Sequence, residues 1–175
     1  MESKERNSKK LLIRNISRDE IGQVAMILEE AALWLKSIGQ EMWEDHQYSI
    51  AGILSCYNIG QLYLGCLEDR AVAAMILQEE DPFMWPDTGR TDSLFLHKLA
   101  VMSAYRKNGF AVEMLDWAKD LARLRGRRYV RLDCASDRPK LCGFYENNGF
   151  VRVREQLIMN RFPTAFYEYE IGDHK

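Results

Sequence analysis

The sequence predicts one domain of mixed α/β class (α+β), in which a mostly antiparallel sheet of six to seven strands is flanked by about four helices. Three observations lead to this prediction. The chain has 175 residues, the length of a single domain. Its apolar periodicity alternates between helical and extended segments in the order β-α-α-β-β-β-α-β-α-β-β. In the middle, a strand, a glycine-containing loop, a helix and another strand follow in the order of one parallel crossover.

The first third of the chain predicts one strand and two helical segments. Residues 11–15 are a short apolar run, which is typical of a strand. Ser17 followed by Glu20 is a capping-box sequence, and the apolar residues after it recur at helical spacing up to Gly39. A second, less regular helical segment is expected over residues 41–57.

Three strands come next, and the last of them starts the crossover. Residues 61–67 and 70–78 predict a hairpin around a Glu68-Asp69 turn. A loop with prolines separates this hairpin from residues 94–101, the strand with the strongest signal. Beyond it we expect a helix that ends at Gly126, a strand at 129–134, a helix at 139–148, and late strands at 150–153 and 166–171.

Composition excludes several functional classes. The 24 Lys and Arg nearly balance the 26 Asp and Glu, and the pI is about 6.0, so neither nucleic acid nor a membrane is an expected partner. The four cysteines have neither disulfide-scaffold nor zinc-finger spacing, so we expect reduced core residues, no metal and a cytoplasmic location. Residues 1–10 are charged and lack the apolar core of a secretory signal, which predicts a flexible segment ahead of a domain at 11–175.

The central motif is a candidate anion site. Leu99-Ala100-Val101 ends a strand, and Arg106-Lys107-Asn108-Gly109-Phe110-Ala111 leads into a helix. A helix N-terminus presents free N–H groups and a partial positive charge, which suits a phosphate. Gly109 allows close backbone approach, and two cations stand beside it. An ordinary polar loop explains the same residues. Neither a Walker A sequence nor a complete G-x-G-x-x-G fingerprint is present.

Together with a second motif, this segment resembles the GNAT superfamily of N-acetyltransferases. The first motif is R-x-x-G-x-A after L-A-V, and the second is Phe144-Tyr145-Glu146-Asn147-Asn148-Gly149-Phe150. The resemblance covers about residues 92–153. It implies the GNAT fold and acetyl-CoA as the co-substrate.

The resemblance also implies where acetyl-CoA binds. Its pyrophosphate would lie on the loop amides, and its pantetheine arm would pair with the backbone of the preceding strand. A bulge in that strand would free the Leu99 N–H for the acetyl carbonyl. The cofactor-binding residues implied in this way are Leu99, Ala100, Val101, Arg106, Lys107, Asn108, Gly109, Phe110 and Ala111.

Tyr145 matches the family's general acid, which protonates the departing CoA thiolate. A phenol is protonated at neutral pH and can donate a proton, although an aromatic packed on the sheet would occupy the same position. The sequence departs from the family at Arg138, seven residues before Tyr145, where many members have an asparagine that binds pantetheine. Either that contact differs here, or Arg138 reaches a phosphate.

Several residues are candidates for the general base. His97 precedes Leu99 and Val101 on the strand, and two-residue alternation predicts that all three share a face. Some family members that acetylate aromatic amines have a histidine at this position, and an imidazole titrates in the right range. A structural histidine is the competing interpretation. Glu79 and Glu80 are rival bases, for which a solvated turn is the simpler explanation.

Few features of the sequence indicate the chemical nature of the acceptor. Residues 79–92 contain five acids and one arginine, whereas residues 106–140 contain ten cationic side chains and five acids. This separation suits a cationic amine on one side and an anionic cofactor on the other. An apolar acceptor pocket could be lined by aromatic residues that core packing would explain equally well: Trp34, Trp43 and Trp85. Together with Glu79, these are the candidate substrate residues.

The leading hypothesis is an enzyme that transfers acetyl from acetyl-CoA directly to a primary amine of a small molecule. A peptide or protein amine is an alternative acceptor. A non-catalytic acyl-CoA sensor is the alternative from another functional class. A homodimer is also expected, because edge strands near the C-terminus could pair between two copies and because members of the family often dimerise.

Overall fold

Seven strands and five α-helices make up the computed structural model, which describes residues 10–88 and 92–172. The strands are β1 (Leu12–Asn15), β2 (Leu62–Leu67), β3 (Arg70–Gln78), β4 (Ser93–Val101), β5 (Tyr129–Ala135), β6 (Val151–Ile158) and β7 (Phe162–Glu170). The helices are α1 (Ile21–Ser37), α2 (Asp45–Tyr48), α3 (Ile50–Cys56), α4 (Phe110–Leu124) and α5 (Pro139–Asn147). Short 3₁₀ turns precede α1, β2 and the loop before α4.

The strands form one mixed sheet in the order β1-β2-β3-β4-β5-β7-β6. β4 and β5 are parallel and are joined through α4, as the crossover prediction requires. The pairs β1–β2, β5–β7 and β6–β7 are antiparallel. The predicted fold class is therefore confirmed.

The chain divides into two compact units, and residues 10–74 and 100–110 belong to the first. There α1 packs on β2, which pairs with β1. The predicted capping box is present, because the Glu20 carboxylate accepts the Ser17 backbone N–H at 2.9 Å. Arg14 holds the same carboxylate with two hydrogen bonds of 2.8 and 2.5 Å. The apolar stripe of α1 is buried as the periodicity predicted: Ile21, Val24, Ile27, Leu28, Ala31 and Ala32.

The second unit contains residues 75–88, 92–99 and 111–172. In it β5 pairs with β7 over its whole length, from Tyr129↔Glu170 to Ala135↔Thr164, and α5 packs on β5 and β6. Strands β6 and β7 are longer than predicted. β6 is an exposed edge strand with polar residues, so its sequence lacks the apolar alternation that marks a half-buried strand.

The structure also bears on the predictions for the cysteines, the N-terminal segment and the membrane. Cys66, Cys134 and Cys142 are buried as expected, whereas Cys56 is exposed. Residues 1–9 of the predicted flexible segment lie outside the described residues. None of the described helices combines the length and apolar character needed to cross a bilayer.

The segment predicted as one helix over residues 41–57 is two helices, and the break has a local cause. Ser49 ends α2 and caps α3, with its hydroxyl accepting the Gly52 N–H at 3.1 Å. The chain bends so tightly that a Cβ on Gly52 would lie 1.5 Å from the His46 carbonyl oxygen. Glycine is therefore required at this position for its missing side chain.

We predict that Gly52→Ala destabilises the protein by more than about 2 kcal/mol, because the backbone of α2 must move to admit the methyl group. Gly22→Ala in α1 is the matched control, since a Cβ there meets no atom within 4 Å. It should be neutral or stabilising by up to about 1 kcal/mol. Urea unfolding of both variants measures the difference. Equal effects of the two substitutions would contradict this account of the break.

Candidate active site

Strand β4 contains a residue in the left-handed region, which an extended strand does not normally accommodate. Lys98 has φ of +47°. Left-handed residues within strands are typical of β-bulges, in which the neighbouring N–H and C=O groups point in altered directions. A left-handed residue also interrupts the two-residue alternation, so the shared face predicted for His97, Leu99 and Val101 does not follow from strand geometry alone. The irregularity lies immediately before Leu99, where the resemblance implied a bulge.

The two parallel strands pair only at their beginnings. Their register runs from Ser93↔Tyr129 to Phe95↔Arg131, while β4 continues to Val101 and β5 to Ala135. The paired region thus ends before the bulge. Diverging strands of this kind offer backbone donors and acceptors to an extended ligand.

A cluster of three titratable side chains lies beside this part of the sheet. It consists of Asp81 from the loop after β3, His97 from β4 and Asp133 from β5, with one ligand atom of each within 4.8 Å of the others. His97 Nε2 and Asp81 Oδ2 are 3.7 Å apart. The side chain of Asp81 is only 9% exposed. We call these residues the Asp–His–Asp cluster.

Burial sets the protonation of the cluster. It lowers the pKa of His97, an effect that Asp81 opposes and Lys98 reinforces. It raises the pKa of Asp133 to about 7; the charge of Asp81 adds to this increase, and Arg154 and Lys98 reduce it. His97 is therefore a neutral imidazole at pH 7, with a lone pair that can accept a proton.

The motif tyrosine is held rigidly at one end of α5. Tyr145 is 8% exposed, and its ring packs edge-on against Phe144 and Phe150, with centroids 5.3 and 5.9 Å away. Its carbonyl accepts the Phe150 N–H at 3.1 Å. Burial is the largest cause that raises the pKa of Tyr145, and Cys134 and Asp133 add to it. The phenol therefore keeps its proton throughout the neutral range.

Two candidate substrate residues of the second unit are engaged in structural contacts. Glu79 forms ion pairs with Arg125 at 3.2 Å and Arg127 at 3.1 Å. Trp85 is buried in an aromatic cluster with Phe95 and Phe166, at centroid distances of 6.1 and 5.3 Å. Packing and charge pairing account for both side chains.

In the first unit, the loop before α4 is fastened to α1. The guanidinium of Arg106 lies 3.7 Å from the centroid of the Trp34 ring, so a candidate cofactor residue and a candidate substrate residue contact each other. One turn earlier on α1, Glu30 accepts hydrogen bonds from Ser103 N–H at 3.0 Å and from its hydroxyl at 2.5 Å. These contacts fix the path of the chain between β4 and α4.

The loop before α4 contains two residues in the left-handed region. Lys107 and Gly109 both have positive φ, +64° and +82°. Asn108 donates its side-chain amide to the Tyr105 carbonyl at 3.1 Å, which stabilises the turn. Helix α4 begins at Phe110 and continues through Ala111, and the first N–H groups of a helix have no intrahelical acceptor. The sequence pattern therefore identified both the loop and the helix start.

The remaining predicted residues lie at the N-terminus of α5, between α1 and α2, and at the end of β4. Arg138 is the residue at the N-terminus of α5, and its guanidinium is 3.9 Å from Asp137. Trp43 is partly buried in the segment between α1 and α2. Ala100 is buried and Val101 ends β4.

Sequence reasoning missed two members of the cluster, Asp81 and Asp133. Asp133 carried a usable signal, because it is the only acid in the apolar run of β5. Asp81 carried a weaker one, since it follows Glu79 and Glu80 in a segment that the sequence suggested as a solvated turn.

The first unit also contains a cavity of about 600 Å³ between α1 and the two short helices. Apolar side chains such as Met26, Leu33 and Ile50 line it together with Glu29 and Asp45. Its volume is within the range of small-molecule sites.

Comparison with known proteins agrees with this architecture. Residues 28–150 match the Acetyltransferase (GNAT) family. The N-acetyltransferase YesJ of Bacillus subtilis (strain 168), itself uncharacterized, is 25% identical over 138 residues, which are 75% of this chain and 77% of that protein. A GNAT-family acetyltransferase structure from Listeria monocytogenes has a TM-score of 0.78 at 22% identity, covering 91% of this chain and 94% of the other. The structure of yncA from Salmonella typhimurium with its cofactor acetyl-CoA has a TM-score of 0.70 at 15% identity and covers 94% and 96%.

The chain therefore belongs to the Acetyltransferase (GNAT) family. It is an acyltransferase that uses acetyl-CoA.

We predict a pH-dependent stabilisation by Asp133→Asn. The pKa of Asp133 is raised from 3.8 to about 7, so the unfolded chain ionises at lower pH than the native protein. The native state therefore loses stability as pH rises between these values, and the asparagine removes that loss. Relative to wild type, the variant should gain about 3 kcal/mol more at pH 8 than at pH 5. Urea unfolding in buffer with EDTA measures this.

Asp137→Asn is the matched control, because its carboxylate is 65% exposed on the chain just after β5. Its effect should be small and equal at both pH values. An equal effect of Asp133→Asn at pH 5 and pH 8 would contradict the raised pKa of Asp133.

Proposed function

We propose that this enzyme transfers the acetyl group from acetyl-CoA directly to a primary amine of a small molecule. The observation that carries the proposal is that a neutral, largely buried His97 comes directly before the left-handed residue Lys98 on one strand. This arrangement puts a base two residues from the N–H that would bind the acetyl carbonyl. The proposed acetyl site thus lies on β4.

The proposed reaction has one addition and one elimination. The amine nitrogen attacks the thioester carbonyl carbon, and the oxygen takes the electron pair while Leu99 N–H donates to it. Removing one such donor typically costs about 2.7–4 kcal/mol. The carbonyl re-forms, the C–S bond breaks, and CoA leaves as a thiolate.

His97 and Tyr145 account for the protons in this proposal. The imidazole accepts one proton from the ammonium form of the acceptor, so that the amine can attack, and passes it to water. The Tyr145 hydroxyl donates a proton to the departing thiolate. The phenolate regains the second proton that the nitrogen loses as the amide forms, so both residues return to their starting state. A covalent acetyl-cysteine is not required, and burial raises the pKa of Cys134, which makes that thiol a poor nucleophile.

The proposed cofactor contacts follow the geometry of each segment. The backbone of Leu99, Ala100 and Val101 would pair with the pantetheine arm. The amides of Lys107, Asn108, Gly109, Phe110 and Ala111, together with Arg106, would bind the pyrophosphate. Arg138 would take the place of the family's asparagine near the cofactor.

A cationic acceptor is supported by the charge pattern of the sequence, because the five acids of residues 79–92 suit an ammonium ion. Trp34, which is 42% exposed, and Trp43 remain candidate acceptor contacts. Because Glu79 and Trp85 are held by structural contacts, the proposal gives them no part in acceptor binding.

An amine screen tests the function. Small primary amines, peptides with free N-termini and a lysine peptide are incubated with acetyl-CoA, and released CoA thiol is measured. The proposal predicts that a small amine has the highest kcat/KM. A higher kcat/KM with a peptide would show that the acceptor is a polypeptide and not a small molecule. Thiol release that no amine accelerates would contradict amine acetylation.

We predict that Tyr145→Phe lowers kcat by about 10²–10⁴-fold, because the ring packing stays and only the proton donor is lost. Acetyl-CoA should still raise the unfolding temperature of the variant as it does for wild type. Tyr129→Phe on β5 is the matched control and should keep full turnover. Unchanged kcat in Tyr145→Phe would exclude this residue as the acid, and loss of the acetyl-CoA effect would assign it to cofactor binding instead.

A further inference from the structure

The Asp–His–Asp cluster has the composition of a metal site. It brings together one imidazole nitrogen and two carboxylate oxygens from three separate segments, the β3–β4 loop, β4 and β5. The 3.7 Å between His97 Nε2 and Asp81 Oδ2 is longer than a hydrogen bond. The cluster is therefore not closed by a direct bond between these two atoms.

One carboxylate oxygen of the cluster lacks a hydrogen-bond donor. This oxygen is Asp81 Oδ2, which is buried and accepts no hydrogen bond from the described residues. The other oxygen of the same carboxylate accepts the Met84 N–H at 3.0 Å, and this bond fixes the orientation of the group. Oδ2 is thereby held towards His97. A buried carboxylate oxygen without a donor is costly, and a cation is the partner that relieves it.

We infer that Asp81, His97 and Asp133 bind a divalent cation of the Zn²⁺ class. Zn²⁺ takes histidine nitrogen and carboxylate oxygen together, and sites with three protein ligands leave a further position for water or another ligand. A harder ion such as Mg²⁺ prefers oxygen ligands alone, so the imidazole favours Zn²⁺. The Met84 N–H orients one ligand from outside, as second ligand shells do in metal sites.

Neighbouring cations set the strength of this site. Lys98 and Arg154 both lower the pKa of Asp133, so their charges reach the cluster and oppose a bound ion. Arg154 is held in place above the Phe166 ring at 3.9 Å and donates to the Met84 carbonyl. We therefore expect weaker binding than that of a structural zinc site.

A bound ion has a consequence for the proposed reaction. His97 cannot accept a proton while its lone pair is donated to Zn²⁺, so the loaded enzyme should be reversibly inhibited. This consequence rests on the proposed function, whereas binding of the ion does not.

The test is a calorimetric titration of metal-free full-length protein with Zn²⁺. Wild type should bind one ion, and Asp81→Asn, Asp133→Asn and His97→Gln should each weaken binding at least tenfold. His46→Ala is the matched control, because His46 is exposed with its Nδ1 3.4 Å from Glu44. His174→Ala removes the third histidine, which lies outside the described residues. Both controls should bind as wild type does.

Three results would overturn the site. The first is the absence of saturable Zn²⁺ binding to wild type. The second is binding that survives in all three cluster variants, and the third is binding that disappears in either control. Thermal unfolding checks that each variant is folded. The Co²⁺ spectrum of wild type is a second measurement: nitrogen and oxygen ligands give no thiolate charge-transfer band, so the appearance of that band would assign the ion to a cysteine.

An activity assay separates this proposal from the proposed function. Inhibition by Zn²⁺ that EDTA reverses supports both the site and the base role of His97. Binding with the expected variant pattern but without inhibition supports the site and contradicts the base role. Thiol release that no amine accelerates contradicts amine acetylation and leaves the calorimetric result standing.

Discussion

The left-handed backbone at Lys98 is the constraint on which the site depends. A non-glycine residue in this region costs about 1–3 kcal/mol and persists only where the surroundings enforce it. Up to Phe95 the strand is paired with β5, and the left-handed residue comes three positions later, immediately before Leu99.

The second unit also contains a cluster of titratable side chains with shifted pKa values. The second unit keeps Asp81, His97 and Asp133 close together, and burial there disfavours the charged forms of His97 and Asp133. Stability is commonly sacrificed in this way at functional sites, where groups must exchange protons or bind cations. The raised pKa of Asp133 and the lowered pKa of His97 are both consequences of that burial.

Sequence patterns predicted the features that depend on residues close together in the chain. The capping box at Ser17, the order of helices and strands along the chain and the turn at Gly109 before α4 depend on local sequence, and the structure contains all three. The break at Ser49 was missed, because it depends on the close approach of Gly52 to the His46 carbonyl. The Asp–His–Asp cluster could not be predicted either, since three segments meet there only after folding.

A crystal structure of the protein with acetyl-CoA tests the central claim most directly. The account predicts that the pantetheine arm lies between the diverging β4 and β5 and that Leu99 N–H is about 2.7–3.1 Å from the thioester carbonyl oxygen. A thioester carbonyl that points away from β4, with the Leu99 N–H bonded to protein, would contradict it. In that case the bulge would have a structural origin and the acetyl site would lie elsewhere.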